Sequence, residues 1–226
     1  MPKPLVSVLA AGCVLAAAAL SGRLWADKPP APDPNKPWAK AFTLTDQNGN
    51  KVSLSSFSGQ IVVMEWCNFD CPFSRRHYER GTFKDLYKKY KFGVPGEPTP
   101  QPDKGRKREP KQKVVWLAIN STHYATVETN KAAAQKYEVP YPVLDDHEGK
   151  VGRLYGATNT PHIFIKAPSG ELAYRGAIDD DPQGEKEPTE IVNYVDQALQ
   201  EILEGKPVSI PEAKPYGCSV KYAEQR

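Results

Sequence analysis

The stretch IVVMEWCNFDCPFSRRHYERGT, residues 61–82, holds a predicted strand, a predicted helix start and two cysteines. Residues 61–66 are mostly apolar over the length of one strand, which is typical of a central strand buried on both faces. Pro72 suits the first turn of a helix, where its missing N–H costs little. The stretch therefore predicts a strand–helix unit, with Cys67 and Cys71 at the junction between the two elements.

Patterns elsewhere in the chain predict the elements around this unit. The sequence DQNGN at 46–50 is a strong hairpin signal between alternating apolar residues, and VVWLAIN at 114–120 predicts a second buried strand. A strand–helix–strand start and a terminal antiparallel hairpin imply an α/β fold with a mixed sheet and helices on both faces. The predicted elements are hairpins over 42–54 and 162–178, strands over 61–66, 114–120 and 141–146, and helical segments over 72–90, 126–138, 147–157 and 188–203.

The first 26 residues are typical of a secretory signal peptide. Lys3 precedes an apolar run over 5–20, and small residues follow up to Ala26. We therefore expect export to the periplasm or cell envelope, with membrane contact only if this segment is retained. Two alternatives stay open. One is an uncleaved membrane anchor, for which the apolar run is at the short end; the other is lipid attachment at Cys13, within LAAGC.

Proline-rich segments set the predicted limits of the globular domain. Residues 27–40 predict an extended linker, and the proline-rich, basic residues 93–112 predict a long surface insertion. The predicted domain spans 41–205 and is followed by a tail, 206–226. The net charge of +3 is too small to argue for nucleic acid as a partner.

Export would leave three cysteines in the mature chain, namely Cys67, Cys71 and Cys218. An odd number in an oxidising compartment leaves at least one thiol unpaired, transiently paired or bound to metal, so a structural disulfide scaffold is not expected. Cys71 is the candidate nucleophile because the unpaired N–H groups and dipole at a helix start stabilise a thiolate and lower its pKa. A thiol whose pKa lies near the working pH is both a nucleophile and a leaving group.

Four motifs carry a resemblance to a known family: FTLTDQNGNKVSLSSFSGQIVVMEW at 42–66, DCPF at 70–73, TPHIF at 160–164 and SGELAYRG at 169–176. Together they resemble the redoxin branch of the thioredoxin superfamily, which includes peroxiredoxins, thioredoxin-like periplasmic reductases and Sco proteins. The succession of segments from DCPF to KPYGCSVKY at 214–222 also resembles exported redoxin-domain proteins of bacteria. The resemblance covers residues 38–205 and implies a thioredoxin-like fold. It also implies that Pro161 is a cis-proline beside the active site, shaping a groove where an extended strand of a thiol- or disulfide-bearing protein partner would pair.

One departure from this family pattern concerns the resolving thiol. Thioredoxin-type reductases use C-x-x-C, whereas this chain has CPFS, with Ser74 in the second position. Cys67 could resolve a mixed disulfide from the upstream side, and Cys218 could do so if the tail folds back. The leading hypothesis is an exported thiol–disulfide oxidoreductase without a cofactor, with Cys71 as nucleophile, Cys67 as preferred resolving thiol and Cys218 in reserve. Glu65 is a candidate proton shuttle near the thiols, unless it lies at an exposed edge.

A second hypothesis is a Cu(I)-binding chaperone similar to Sco proteins. Those proteins use C-x-x-x-C-P with a distant histidine, and this chain matches the cysteine pattern with Cys67 and Cys71. Two thiolates and one imidazole suit soft Cu(I). His162, next to the expected cis-proline, is the candidate third ligand, whereas His77 is expected on the surface.

Two further alternatives remain open. Peroxiredoxins carry a threonine or serine three residues before the reactive cysteine and a proline further upstream, where this chain has Asn68 and Met64. The missing hydroxyl argues against efficient peroxidase chemistry and leaves a weak thiol peroxidase open. The last alternative is a redox-inert binding domain that kept the fold.

Overall fold

The computed structural model describes residues 40–90 and 114–224. The predicted signal peptide, all but the last residue of the predicted linker, and the predicted insertion at 93–112 lie outside the described residues. Within these two ranges, no helix has the length and apolar character needed to cross a membrane.

A seven-stranded mixed sheet forms the centre of the fold. Its strands are β1 (Thr43–Asp46), β2 (Lys51–Ser53), β3 (Ile61–Trp66), β4 (Val114–Asn120), β5 (Val143–Asp145), β7 (His162–Lys166) and β8 (Leu172–Gly176), while β6 (Asn159–Thr160) and β9 (Cys218–Ser219) form a separate two-stranded pair. The strand order is β2-β1-β5-β4-β3-β7-β8, in which the three middle strands are parallel and antiparallel pairs extend the sheet on both sides. The predicted mixed α/β sheet is thereby confirmed.

The helices differ from the sequence prediction in two places. The single helix predicted over 72–90 is two helices, because Gly81 adopts a positive φ of 75° between them, a conformation that ends a helix. The last helix begins later than predicted, at Tyr194, where the Asn193 side chain accepts a 2.9 Å hydrogen bond from the N–H of Asp196. The helices are α1 (Pro72–Glu79), α2 (Thr82–Tyr90), α3 (Val127–Lys136), α4 (Lys150–Tyr155) and α5 (Tyr194–Leu203), with a short 3-10 helix over Leu54–Phe57.

The central strand β3 divides the core into two parts. Side chains alternate along a strand, so Cys67 follows Glu65 onto one face, and Trp66 lies with Met64 on the other. The first face, the Cys67 face, packs against α1, α2, α3 and α5. The second, the Trp66 face, packs against α4, the 3-10 helix and Val220.

Residues 206–224, here called the tail, pack back onto the domain. The N–H of Ala213 donates to the carbonyl of Arg175 in β8 at 3.1 Å, and further along β9 pairs with β6 in antiparallel register. The N–H of Val220 then donates to the carbonyl of Thr158 at 3.0 Å. The tail predicted to follow the domain after residue 205 is therefore packed against the domain and forms part of the same structure.

Candidate active site

Cys71 lies at the start of α1, as the sequence predicts. It is the N-cap residue, with extended backbone angles (φ −73°, ψ 122°), and Pro72 follows in the first turn. Its Sγ donates a 3.0 Å hydrogen bond to the carbonyl of Thr160. The Thr160–Pro161 peptide bond is cis, as the resemblance implies. The structure thus brings Cys71 and the residue before Pro161 into direct contact.

The tail brings Cys218 to the same place. Cys218 lies opposite Thr160 in the β6–β9 pair, and the Thr160 hydroxyl donates to the Cys218 carbonyl at 3.4 Å. Gly217 turns directly over Thr160, since a Cβ added to it would lie 2.3 Å from the Thr160 carbonyl oxygen. The Cys218 thiol lies close enough to the Cys71 thiol for each to shift the pKa of the other, and both thiols are free. Two thiols that are remote in sequence therefore meet beside Pro161.

The two neighbouring thiols have opposite pKa shifts. Burial alone would raise the pKa of Cys71, but the Cys218 thiol, the Thr160 side chain and the backbone N–H groups of Ser74 and Cys218 outweigh it and lower the pKa. The pKa of Cys218 is raised to about 11, first by burial and then by the hydrogen bond and charge of Cys71. These opposite shifts favour the arrangement with the thiolate on Cys71 and the thiol on Cys218 over the reverse.

Cys67 has a different environment. Its side chain is 1 % exposed within the core of the Cys67 face. Burial raises its pKa well above the usual value, and the nearby carboxyl of Glu65 raises it further, while a hydrogen bond with Tyr78 lowers it only in part. A thiol buried in this way stays protonated and is a poor nucleophile.

Glu65 lies beside Cys67 in the centre of the sheet and is fully buried, so the alternative of an exposed edge position is wrong. Three side chains donate to its carboxyl group: Tyr78 through its hydroxyl, Trp116 through Nε1 at 2.9 Å and Tyr141 through its hydroxyl at 3.1 Å. Burial raises the pKa of Glu65 to about 7, against the lowering effect of these hydrogen bonds. The carboxyl group therefore exchanges its proton near neutral pH, next to the Cys67 thiol.

Comparisons with known proteins agree with this geometry. A stretch covering 51% of the chain is 31% identical over 116 residues to "Peroxiredoxin Q, chloroplastic" of Sedum lineare. A stretch covering 59% of the chain is 25% identical over 134 residues to "Thiol-disulfide oxidoreductase ResA" of Bacillus thuringiensis subsp. konkukian. Over 51% and 59% of its length, the chain is therefore similar to redoxin proteins of the thioredoxin superfamily. It spans 50% of the length of that peroxiredoxin Q and 64% of that ResA.

Similarity to solved structures extends over more of the chain. An uncharacterized conserved protein from Geobacillus kaustophilus superposes with a TM-score of 0.66 at 29% identity, over 83% of this chain and 92% of that chain. A hypothetical protein from Sinorhizobium meliloti has a TM-score of 0.65 at 24% identity, over 83% and 93%. The second shows the fold alone. No family model matches the chain.

The three residues that depart from the family patterns named in the sequence analysis are all buried. Ser74, where a C-x-x-C pair would have its second cysteine, is fully buried, and its hydroxyl has no hydrogen-bond partner among the described residues. Asn68, at the peroxiredoxin hydroxyl position, accepts a 2.9 Å hydrogen bond from the N–H of Asp70 and shapes the loop before Cys71. Met64 lies on the Trp66 face. The Asn68 oxygen is thus already used within the loop.

The three predicted copper ligands do not come together in the structure. His162 is directly opposite Trp66 in the β3–β7 register, and residues in such a pair share one face of a sheet. It therefore lies on the face opposite Cys67. Its Nδ1 accepts a 3.3 Å hydrogen bond from the N–H of Thr158, and burial lowers its pKa to about 4. Within 40–90 and 114–224, no three His, Cys, Asp or Glu side chains could hold a metal. Cys67, Cys71 and His162 thus do not fit a Cu(I) centre.

Sequence reasoning missed one polar group beside the thiols. His77, expected on the surface, is 2 % exposed and contacts Tyr216, two residues before Cys218. Tyr216 in turn contacts Asp179, which follows β8. The signal that was available is Gly217 in the tail, because a glycine in or next to a strand often marks a place where another backbone approaches closely.

Proposed function

We propose that this protein is a thiol–disulfide oxidoreductase in which Cys71 is the nucleophile and Cys218 is the resolving thiol. The observation that carries the proposal is the meeting of these two thiols beside Pro161, with the pKa of Cys71 lowered and that of Cys218 raised. The identities with a peroxiredoxin Q and with ResA support thiol chemistry. The substrate class is a protein or small molecule carrying a disulfide or a thiol.

The reaction proceeds in two exchanges. The Cys71 thiolate attacks one sulfur of a substrate disulfide, a mixed disulfide forms, and the second substrate sulfur leaves as a thiolate. Cys218 then loses its proton and attacks the Cys71 sulfur, which releases the first substrate sulfur as a thiolate. The substrate disulfide is reduced to two thiols, and the protein is oxidised to the Cys71–Cys218 disulfide. An external dithiol restores the reduced pair by the same steps in reverse.

Cys218 is a better resolving thiol than Cys67 for two reasons. Cys218 is half-buried in β9 next to Cys71, where it can approach a mixed disulfide on Cys71. Cys67 is held within the core of the Cys67 face, and its thiolate is disfavoured by burial and by Glu65. The proposal therefore reverses the order of preference that the sequence favours.

Reduction of a model disulfide substrate tests these roles. We expect Cys71→Ser to lose turnover of insulin disulfides with dithiothreitol as reductant. Reduced Cys218→Ser, freed of dithiothreitol before it meets insulin, should accumulate a mixed disulfide on Cys71, visible by mass spectrometry as an adduct. Cys67→Ala is the matched control, because it removes a thiol from the core and should keep turnover. A Cys218→Ser variant that turns over like the wild type, with Cys67→Ala inactive, would reject the assignment.

A weak thiol peroxidase is a second candidate, favoured by the identity with a peroxiredoxin Q. A peroxide would oxidise the Cys71 thiolate to a sulfenic acid and leave as an alcohol or water. The Cys218 thiol would then condense with it, forming the same disulfide and releasing water. Slow consumption of hydrogen peroxide that disappears in Cys71→Ser would support this activity. No consumption above the Cys71→Ser background would reject it.

We also propose export to the periplasm or cell envelope, which rests on the N-terminal sequence pattern. Cell fractionation with N-terminal sequencing tests it. The expected product begins after Ala26 and is found outside the cytoplasm. A full-length chain in the cytoplasmic fraction would reject the proposal.

A further inference from the structure

A chain of hydrogen bonds joins the helix that carries Cys71 to the tail that carries Cys218. The Tyr216 hydroxyl lies 2.6 Å from Oδ1 of Asp179 and 2.8 Å from Nε2 of His77. Nδ1 of His77 lies 3.3 Å from the Thr82 hydroxyl. These four residues are here called the His77 network. Its members come from α1, α2, the segment after β8 and the tail.

Donor and acceptor chemistry assigns the direction of each hydrogen bond. A carboxylate only accepts, so the Tyr216 hydroxyl donates to Asp179 and its oxygen accepts from Nε2–H of His77. Burial, Arg76 and Arg80 lower the pKa of His77 to about 3, so the ring is neutral. Its Nδ1 therefore carries no proton and accepts from the Thr82 hydroxyl. Every donor in the network has a partner, which is the condition for a buried polar network to stabilise one arrangement.

The His77 network holds both cysteines in place, because its members lie in the two segments that carry them. His77 is in α1, which begins directly after Cys71, so fixing His77 fixes the helix relative to the network. Tyr216 precedes Gly217, which has a φ of 100° and passes directly over Thr160, so little backbone freedom remains before Cys218. The Tyr216 ring also packs near Phe73, with centroids 6.2 Å apart. The segments that carry the two thiols are thus both connected, through His77 and Tyr216, to the buried carboxyl group of Asp179.

We propose that Tyr216, held by Asp179 and His77, is a positioning residue that keeps the Cys218 sulfur at the Cys71 sulfur. This inference rests on the proposed function, since these groups would set how efficiently Cys218 attacks the Cys71 sulfur. Two thiols held together have a high effective concentration, which favours their disulfide over mixed disulfides with an external thiol. Releasing the tail lowers that concentration, although its pairing with β6 and β8 keeps the tail attached.

The test uses the full chain and glutathione as the external thiol. The fraction of protein in the Cys71–Cys218 disulfide is measured across a series of reduced and oxidised glutathione mixtures. We expect Tyr216→Phe to lower the effective concentration of the pair by about tenfold, the loss expected for one hydrogen bond to a charged group. The matched control is Tyr155→Phe, which removes a hydroxyl bonded to the Lys40 carbonyl at 3.2 Å on the Trp66 face and should leave the effective concentration unchanged.

Two further readouts separate positioning from general stability. The pKa of Cys71, measured from the pH dependence of iodoacetamide alkylation, should rise in Tyr216→Phe, because the Cys218 thiol no longer assists the thiolate. A second variant, His77→Leu, should lower the effective concentration in the same direction, and His77→Gln should restore part of it through an amide N–H at the position of Nε2. Thermal unfolding of each reduced variant checks that it is folded.

The outcomes distinguish this inference from the proposed function. A wild-type protein that forms no Cys71–Cys218 disulfide in any glutathione mixture would reject the proposed function. A wild-type protein that forms it, with the same effective concentration and the same Cys71 pKa in Tyr216→Phe and His77→Leu, would reject only the positioning role. Equal losses in Tyr216→Phe and Tyr155→Phe would also reject it, because the effect would then be one of general stability.

Discussion

The buried carboxyl group of Glu65 gives a prediction with a calculable size. Its pKa in the folded state is raised from 4.5 to about 7. Between these two values the unfolded chain has released the proton and the folded protein still holds it. Raising the pH through this window therefore favours the unfolded state, and the free energy of unfolding falls. The gap between the two pKa values corresponds to about 3 kcal/mol.

The perturbation is Glu65→Gln, which removes the titration and keeps a side chain of the same shape. The absolute stability of the variant depends on how the amide fits against Tyr78, Trp116 and Tyr141. The pH dependence does not, because other titrating groups are common to both proteins and cancel in the difference. We expect the difference in unfolding free energy, Glu65→Gln minus wild type, to increase by about 3 kcal/mol from pH 4.5 to pH 8.

The assay is urea unfolding of the reduced proteins at intervals across this pH range. Glu138→Gln is the matched control, because Lys84 holds the pKa of the exposed Glu138 carboxyl below its usual value. A lowered pKa affects stability only as the pH falls below about 4.5, so this control should run parallel to the wild type in the chosen range. Parallel curves for Glu65→Gln and the wild type would refute the assignment of a raised pKa to Glu65.

Three further predictions address the thiols and the metal. Near neutral pH, brief treatment of the reduced protein with iodoacetamide should modify Cys71 before Cys218, because the pKa of Cys71 is lowered and that of Cys218 is raised. Equal or reversed rates of modification, measured by peptide mass spectrometry, would contradict this. Gly217→Ala should slow formation of the Cys71–Cys218 disulfide with oxidised glutathione, since the added Cβ would lie 2.3 Å from the Thr160 carbonyl oxygen and push the tail away. An unchanged rate would show that Cys218 reaches Cys71 without the close contact between Gly217 and Thr160. His162→Ala should leave Cu(I) affinity unchanged in a competition titration with a Cu(I) chelator, and a lost equivalent of Cu(I) would restore the histidine as a ligand.

The local parts of the site could be predicted from sequence. The apolar run at 61–66 and Pro72 placed Cys71 at a strand–helix junction, because hydrophobic pattern and proline position act over a few neighbouring residues. Gly81 was also readable as a helix end, and its neglect merged α1 with α2. The motif around Pro161 predicted its cis peptide through resemblance to the family.

The partner of Cys71 could not be predicted in the same way. Cys67 is near in sequence, but the side chain belongs to the core of the Cys67 face, where helix packing holds it. Cys218 is remote in sequence and reaches the site through the two-residue strand β9, which is too short to leave a periodic pattern. His77 was misplaced for the same reason, since the groups that bury it, Tyr216 and Asp179, lie far along the chain.

Disulfide mapping tests the central claim most directly. The full chain is oxidised with a small excess of oxidised glutathione, alkylated to block free thiols, digested without reduction and analysed by mass spectrometry. We predict a pair of peptides joined through a Cys71–Cys218 disulfide. Cys67 should be recovered in alkylated form once the chain is unfolded, which shows that its thiol was free. A Cys67–Cys71 link, with Cys218 alkylated, would contradict it.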